Sequence, residues 1–339
     1  MVANVSCVAG EYRYRPAWWL PGGHAQTLWA KFSRVRKALP LTRAVVALPD
    51  GDRLELHTIE AQPDSPRVLL LHGLEGSLES HYVAGIMGAA AAIGWGATLL
   101  VFRGCGSTPN SARRFYHSGE TSDVAYVYGL LRRRAPDVPW YAIGVSLGGN
   151  VLLKWLGEAG ASASLGAAVA ISVPFDLEAG ARRISTGFAR IYDRNFLVSL
   201  RTKALRKLAV YPDLFDRSRL ERAASVFEFD EAVTAPVHGF ADAHDYYRRS
   251  SSLGFLSRIR VPALLLSARD DPFLPPEVLS SVERAAAENP ALTTQFLSRG
   301  GHVGFVTGRW PWSPRYYAEE RAIAFLQAVG GWSAHAGLP

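Results

Sequence analysis

Ser146 stands at the centre of Gly144-Val145-Ser146-Leu147-Gly148, a G-x-S-x-G run. The apolar residues Tyr141 to Val145 before it read as a buried strand, and Leu147, Val151, Leu152, Trp155 and Leu156 after it carry helical spacing. A serine on such a strand-to-helix turn is held in strained backbone, and the residues two before and two after must lack bulk. Its hydroxyl then sits above a helix N-terminus, whose dipole favours developing negative charge. Those are the conditions for a nucleophile. Two other stretches supply what a serine nucleophile needs. Asp270-Asp271 follows the strand-like run Val261 to Ser267, and His302 lies in Arg299-Gly300-Gly301-His302-Val303-Gly304-Phe305. Histidine can take the serine proton, and a carboxylate can hold the imidazole in the right tautomer.

Acyl transfer also needs donors for the oxyanion. The strand-like Arg67-Val-Leu-Leu-Leu71 ends in His72-Gly73-Leu74-Glu75-Gly76, where glycine lets the next N–H face inward. The expected donors are the backbone N–H groups of Leu74 and Leu147, with His72 orienting the loop rather than reacting.

These residues must be positioned by alternating elements. Strands are expected at 44–48 and 53–59, joined by the turn Pro49-Asp50-Gly51-Asp52, a hairpin signal. Further strands at 67–71, 97–102, 141–145 and 167–172 alternate with helices at 82–93, 120–134 and from Leu147 onward. Such repetition signals a parallel α/β sheet. The alternation stops at Pro174. Residues 174–257 read as a helical insertion, with helices at 177–192, 196–210, 219–226 and 243–250, placed to cap the serine. Phe196, Leu197, Leu200, Leu205 and Leu208 form its apolar stripe, with Phe196 expected to face the acyl chain. A strand at 261–267, a helix at 276–288, a strand at 293–297 and a helix at 316–329 complete a single domain. The arm through about residue 40 is aromatic and reads as irregular, because Pro21-Gly22-Gly23 interrupts any continuous helix.

Composition narrows the functional classes. The 339 residues are 48% hydrophobic and 20% charged, as in an ordinary globular protein. Cys7 and Cys105 match no zinc or redox spacing, so a reducing compartment and no metal are expected. Arg13, Arg15 and Pro16 break any signal-peptide core, and no apolar run has the length of a membrane span. The expected location is the cytoplasm, without stable membrane insertion. A net charge of +7 is carried by scattered arginines without a nucleic-acid motif, so it reads as a solvated basic surface.

The order Ser146, Asp271, His302 is that of the α/β-hydrolase fold. The chain further resembles the YheT-like branch of that superfamily, related to the eukaryotic ABHD1/ABHD3-type proteins and the yeast medium-chain ester synthases. The resemblance runs over nearly the full length. It is carried by Gly22-Gly23-His24-Ala25-Gln26-Thr27, His72 to Ser77, Arg103-Gly104-Cys105-Gly106, Tyr116-His117-Ser118-Gly119-Glu120-Thr121, Gly144 to Gly149, and Asp270-Asp271-Pro272-Phe273. It implies a triad on Ser146, His302 and the Asp270-Asp271 pair. In the related pattern D-x-x-x-P the acid stands four residues before the proline, as Asp271 does before Pro275. The implied activity is hydrolysis of short- to medium-chain carboxylic esters without a cofactor, or transfer of the acyl group to an alcohol. A ligand-binding protein that merely keeps the fold is the reading from another class. No run matches the membrane-spanning segment of the eukaryotic relatives.

Overall fold

The structure, a computed structural model, describes residues 13–34, 38–107 and 110–332. Cys7 and part of the aromatic arm lie outside the described residues. The first element corrects the expectation for that arm: Gly22–Phe32 is a helix, α1. Pro21 stands outside it as the N-cap, where its fixed φ and missing N–H cost nothing. The proline starts the helix instead of breaking it.

Strands β1 (Thr42–Ala47) and β2 (Arg53–Ile59) form the expected antiparallel hairpin. After β3 (Arg67–Leu71), helix α2 (Val83–Ala92) leads to β4 (Gly96–Val101), and α3 (Ser122–Arg134) leads to β5 (Trp140–Val145). Helix α4 (Leu147–Ala159) then connects to β6 (Ala167–Ile171). Every residue of β4, β5 and β6 is buried, which is why these strands are continuous apolar runs rather than alternating ones.

Between β6 and the next strand the chain makes only helices. They are α5 (Leu177–Ile184), α6 (Arg190–Val210), α7 (Arg217–Arg222), α8 (Val226–Phe229), α9 (Ala235–His238) and α10 (Ala243–Ser250). The single helix expected over 177–192 is two: α5 stops at Ser185, whose hydroxyl bonds back to the Ala181 carbonyl, and α6 begins before Phe196. Serine and threonine compete for backbone in this way and favour a helix end. The chain returns to the sheet through β7 (Ala263–Ala268), α11 (Pro276–Ala287) and β8 (Leu292–Leu297). A short ribbon of β9 (Val306–Thr307) and β10 (Arg315–Tyr316) precedes the last helix, α12 (Tyr317–Gly330).

The large sheet runs β1-β2-β4-β3-β5-β6-β7-β8, with β2 antiparallel to its neighbours and all later pairs parallel. Helices α3, α4 and α11 bury one face, and α2 and α12 the other. The winding reverses at β3, which has β4 on one side and β5 on the other. Ligands bind outside the strand ends at such a switch point. With Leu71 level with Gly144, the loops leaving β3 and β5 emerge side by side. That register brings His72–Gly76 next to Ser146.

The Arg103 turn after β4 braces this edge. Its guanidinium is fully buried and bonds Asp123 at 2.6 Å, Asp52 at 2.8 Å and Asp50 at 3.0 Å. The hairpin turn and the start of α3 are thereby tied to one side chain. Breaking such a buried set by removing one partner costs about 3–5 kcal/mol. Among the described residues no helix is long and apolar enough to cross a membrane.

Candidate active site

Ser146 lies between β5 and α4 with φ 54° and ψ −121°, a region that side-chain-bearing residues rarely adopt. Two features hold it there. Its N–H donates to the Ile171 carbonyl of the adjacent strand at 2.8 Å, and its carbonyl accepts the Gly149 N–H at 2.9 Å. The glycines around it are required by space: a Cβ on Gly144 would lie 2.5 Å from the Gly148 carbonyl oxygen, and one on Gly148 2.4 Å from that of His72. Asn150, one turn into α4, donates to the Ser118 and Ser250 carbonyls and accepts the Ser252 N–H, each at 2.8 Å. It ties the helix under the serine to the loop before α3 and to the end of the helical insertion.

The structure brings Ser146, His302 and Asp271 into one hydrogen-bonded line. His302 Nε2 is 2.9 Å from Ser146 Oγ, and His302 Nδ1 is 2.8 Å from Asp271 Oδ2. With Nδ1–H given to the carboxylate, Nε2 is left to accept the serine hydroxyl. Asp271 is 2% exposed, and its other oxygen accepts the Phe273 N–H at 2.8 Å, so the acid cannot swing away. Asp270 points elsewhere and accepts the Gly301 N–H at 2.9 Å. Burial pushes the Asp270 carboxyl up, although the Gly301 and Gly300 N–H groups pull the other way.

The His302 loop is seated by parts of the chain that sequence reasoning did not assign to it. The Phe273 ring stacks on the imidazole, centroids 4.0 Å apart and planes 15° off parallel. Thr27 of α1 accepts the His302 N–H at 2.8 Å and donates to the Gly23 carbonyl at 2.7 Å. Gln26 brackets the loop further on, its Oε1 accepting the Val306 N–H at 2.7 Å. Gly23 abuts Asp270 so closely that a Cβ would fall 1.8 Å from that residue's carbonyl oxygen. The Gly22-to-Thr27 signature is therefore the docking face of α1 on the acid and imidazole loops. Its composition was the available signal, since two glycines and the polar His24, Gln26 and Thr27 open a helix whose later turns are mostly apolar.

The loop after β3 is held just as tightly. His72 is fully buried; its Nε2 accepts the Phe102 N–H at 3.0 Å, so the proton is on Nδ1, 2.8 Å from the Gly73 carbonyl. Burial pulls its pKa down to about 4, which keeps it neutral. The Gly73 N–H donates to the Tyr82 hydroxyl at 2.7 Å and the Glu75 N–H to the Tyr116 hydroxyl at 2.8 Å. Between them, the Leu74 N–H has no acceptor among the described residues. Leu147 is the first residue of α4, so its N–H has no partner inside the helix.

A cavity of about 640 Å³ opens beside these two residues. Its walls include Leu74 and Leu147 at the sheet edge and Leu200, Val210, Phe229 and Tyr246 from the helical insertion. Phe196, expected to face the acyl chain, instead lies edge-on to Phe273 with ring centroids 6.0 Å apart. The α6 face that meets the cavity begins one turn later. Among the described residues no cluster of three or more His, Cys, Asp or Glu side chains could hold a metal ion.

Comparison with known proteins places the fold in a family. The alpha/beta hydrolase fold family model matches residues 66–309. YheT of Escherichia coli, whose name marks it as a candidate esterase, is 40% identical over 291 residues, covering 84% of each chain. A Saccharomyces cerevisiae protein named monoacylglycerol lipase is 32% identical over 75% of this chain and 57% of its own. Human phospholipase ABHD3 is 26% identical over 95% of this chain and 80% of its own. Among solved structures, an esterase of Pyrococcus furiosus, Pf2001, superposes with a TM-score of 0.57 over 88% of this chain and 96% of its own. At 16% identity that likeness concerns the fold.

Proposed function

This chain belongs to the alpha/beta hydrolase fold family and to its YheT-like branch, and on that basis we propose that it is a serine esterase acting on carboxylic esters of short- to medium-chain acyl groups. Its relatives named lipase, phospholipase and candidate esterase share ester bonds as their target chemistry. The observation that carries the reading is the line Ser146–His302–Asp271, begun by a serine in strained backbone at a helix N-terminus.

In this mechanism Ser146 Oγ attacks the ester carbonyl carbon while His302 Nε2 takes its proton. The carbonyl oxygen becomes an oxyanion held by the Leu74 and Leu147 N–H groups, whose free donors await it. Collapse breaks the ester C–O bond, and His302 passes the proton to the departing alcohol. Water, deprotonated by His302, then attacks the acyl-enzyme and releases the acid. Asp271 keeps the imidazole tautomer and stabilises the imidazolium. The residues between β6 and β7 act as a cap that closes the acyl cavity.

The test is labelling with a fluorophosphonate, mapped by mass spectrometry, followed by turnover of acyl esters with and without an alcohol acceptor. A single adduct at Ser146 and acid as product support the esterase. Ester exchange outrunning hydrolysis in the presence of alcohol would make the chain an acyltransferase on the same serine. No adduct at Ser146 would overturn the reading.

A further inference from the structure

Glu75 stands immediately after Leu74, in the loop leaving β3, with φ 55°. A side-chain-bearing residue in that region needs outside support to stay there. Its support comes from two directions. From the core, the Tyr116 hydroxyl accepts the Glu75 N–H at 2.8 Å and donates to Glu75 Oε1 at 2.8 Å, closing a ring around the residue. From the helical insertion, Lys203 Nζ donates to Oε1 at 2.8 Å, and the Ser199 hydroxyl donates to Oε2. Ser199 and Lys203 lie four residues apart on α6, so one face of that helix grips both carboxylate oxygens. The side chain of Glu75 is 7% exposed, which shields the pair from solvent.

The other neighbour of Lys203 does not replace Glu75. Cys105 Sγ is 3.2 Å from Nζ, but burial pushes the thiol up to about 11, leaving it uncharged. Glu75 is thus the counter-charge through which α6 reaches the loop. Gly73, on the far side of Leu74, is fixed independently by Tyr82. The Leu74 N–H is therefore aimed by two clamps, and only one of them belongs to the insertion.

We propose that Glu75 is a positioning residue, latched by Lys203 and Ser199 of α6, that makes a competent oxyanion hole conditional on the seating of the helical insertion. The inference rests on the esterase reading above, since it gives the Leu74 N–H its task. It goes beyond that reading by coupling the two halves of the site. When α6 is seated, the loop holds its left-handed turn and the donor faces the serine. When α6 lifts to admit or release a ligand, Glu75 loses its grip and the donor is no longer held.

The test uses the full chain and a small ester, 4-nitrophenyl acetate, whose acetyl group is too short to depend on the cavity wall. Lys203→Met and Glu75→Gly are compared with wild type. Glycine at 75 keeps the positive φ without strain and removes the carboxylate that Lys203, Ser199 and Tyr116 hold, whereas Lys203→Met removes the α6 side alone. Loss of one aimed oxyanion donor lowers kcat by about 10²-fold with KM changed less than about threefold, because the interaction exists only in the transition state. Lys203→Arg, which keeps the charge, is expected to recover most of that loss. Thermal unfolding identifies variants that are simply unfolded, and the partly exposed Lys203 position keeps one arm of the test if Glu75→Gly does not fold. Unchanged kcat in folded Lys203→Met and Glu75→Gly would overturn the latch, as would a loss confined to KM. Fluorophosphonate labelling of wild type separates the two levels: an adduct at Ser146 with unchanged variant kcat sinks the latch alone, whereas no adduct at Ser146 removes the esterase reading and the latch with it.

Discussion

Asp271 meets His302 Nδ1 at 2.8 Å from a carboxylate that is 2% exposed. Its neighbour Asp270 spends its carboxylate on the Gly301 N–H, so consecutive acids serve the imidazole side chain and the backbone that carries it. Asp271→Asn is expected to leave the fold intact and lower turnover by about 10⁴-fold, since an amide favours the wrong tautomer. Asp270→Asn keeps an oxygen for Gly301 and should cost less than about tenfold, with a lowered melting temperature as its main effect. Steady-state kinetics on the two purified variants decides between them. The reverse ranking would move the acid by one residue.

Ser146→Ala should abolish covalent labelling and reduce ester turnover by several orders of magnitude, about the 10⁶ scale of nucleophile deletions. Labelling that survives the substitution would reassign the nucleophile.

Thr27 accepts the His302 N–H from a helix near the other end of the sequence. Thr27→Val keeps the shape but leaves that buried N–H without an acceptor, at a cost of about 1–3 kcal/mol. Turnover should fall with it, and Thr27→Ser should restore both. Urea unfolding and kcat, measured together on the two variants, test whether seating of the loop and chemistry move in step.

Leu200 faces the cavity while Phe196 faces Phe273. Leu200→Phe should narrow the cavity, lowering kcat/KM for octanoyl esters about tenfold relative to acetyl esters, the scale of a few methylenes' binding. Phe196→Ala should instead reduce turnover alike on every chain length, because it loosens the ring that stacks on His302. A chain-length series on both variants distinguishes the two walls.

Acid should destabilise the fold well before the carboxylates titrate. Burial holds His72 and His238 down to about 4 and His81 to about 3, against about 6.5 in the unfolded chain. Between pH 6.5 and 4 the unfolded state therefore binds more protons than the folded one. The stability these neutral histidines contribute is full above pH 6.5 and is lost as pH falls toward 4. For fully buried His72 alone the loss is on the order of 3 kcal/mol. Urea midpoints at pH 7, 5.5 and 4 should drop steadily; a flat profile down to pH 4.5 would show that these rings are protonated inside the fold.

The elements around Ser146 were legible because their cause is local. A buried parallel strand must be a continuous apolar run, and the turn that follows tolerates only small residues at Gly144 and Gly148. The loops bearing Asp271 and His302 could likewise be found after their strands. The support around them was not legible, because it is set by register and docking. Nothing near Glu75 in sequence announces Lys203, and nothing near His302 announces Thr27. The reading of Pro21-Gly22-Gly23 as a break failed for a related reason: proline ends helices when internal and begins them when first. The two-residue strands β9 and β10 are too short for any periodicity to register.

The bond from Thr27 to His302 spans 275 residues, and it also orders events in time. During synthesis Ser146 is made 156 residues before His302. Its base arrives only with residue 302, and that base finds its seat on a helix that has waited since residue 32. Pairings of such long sequence separation form late in folding. A chain in which His302 has not yet reached α1 therefore carries a serine without chemistry, and reactivity begins only when Thr27 and His302 have met.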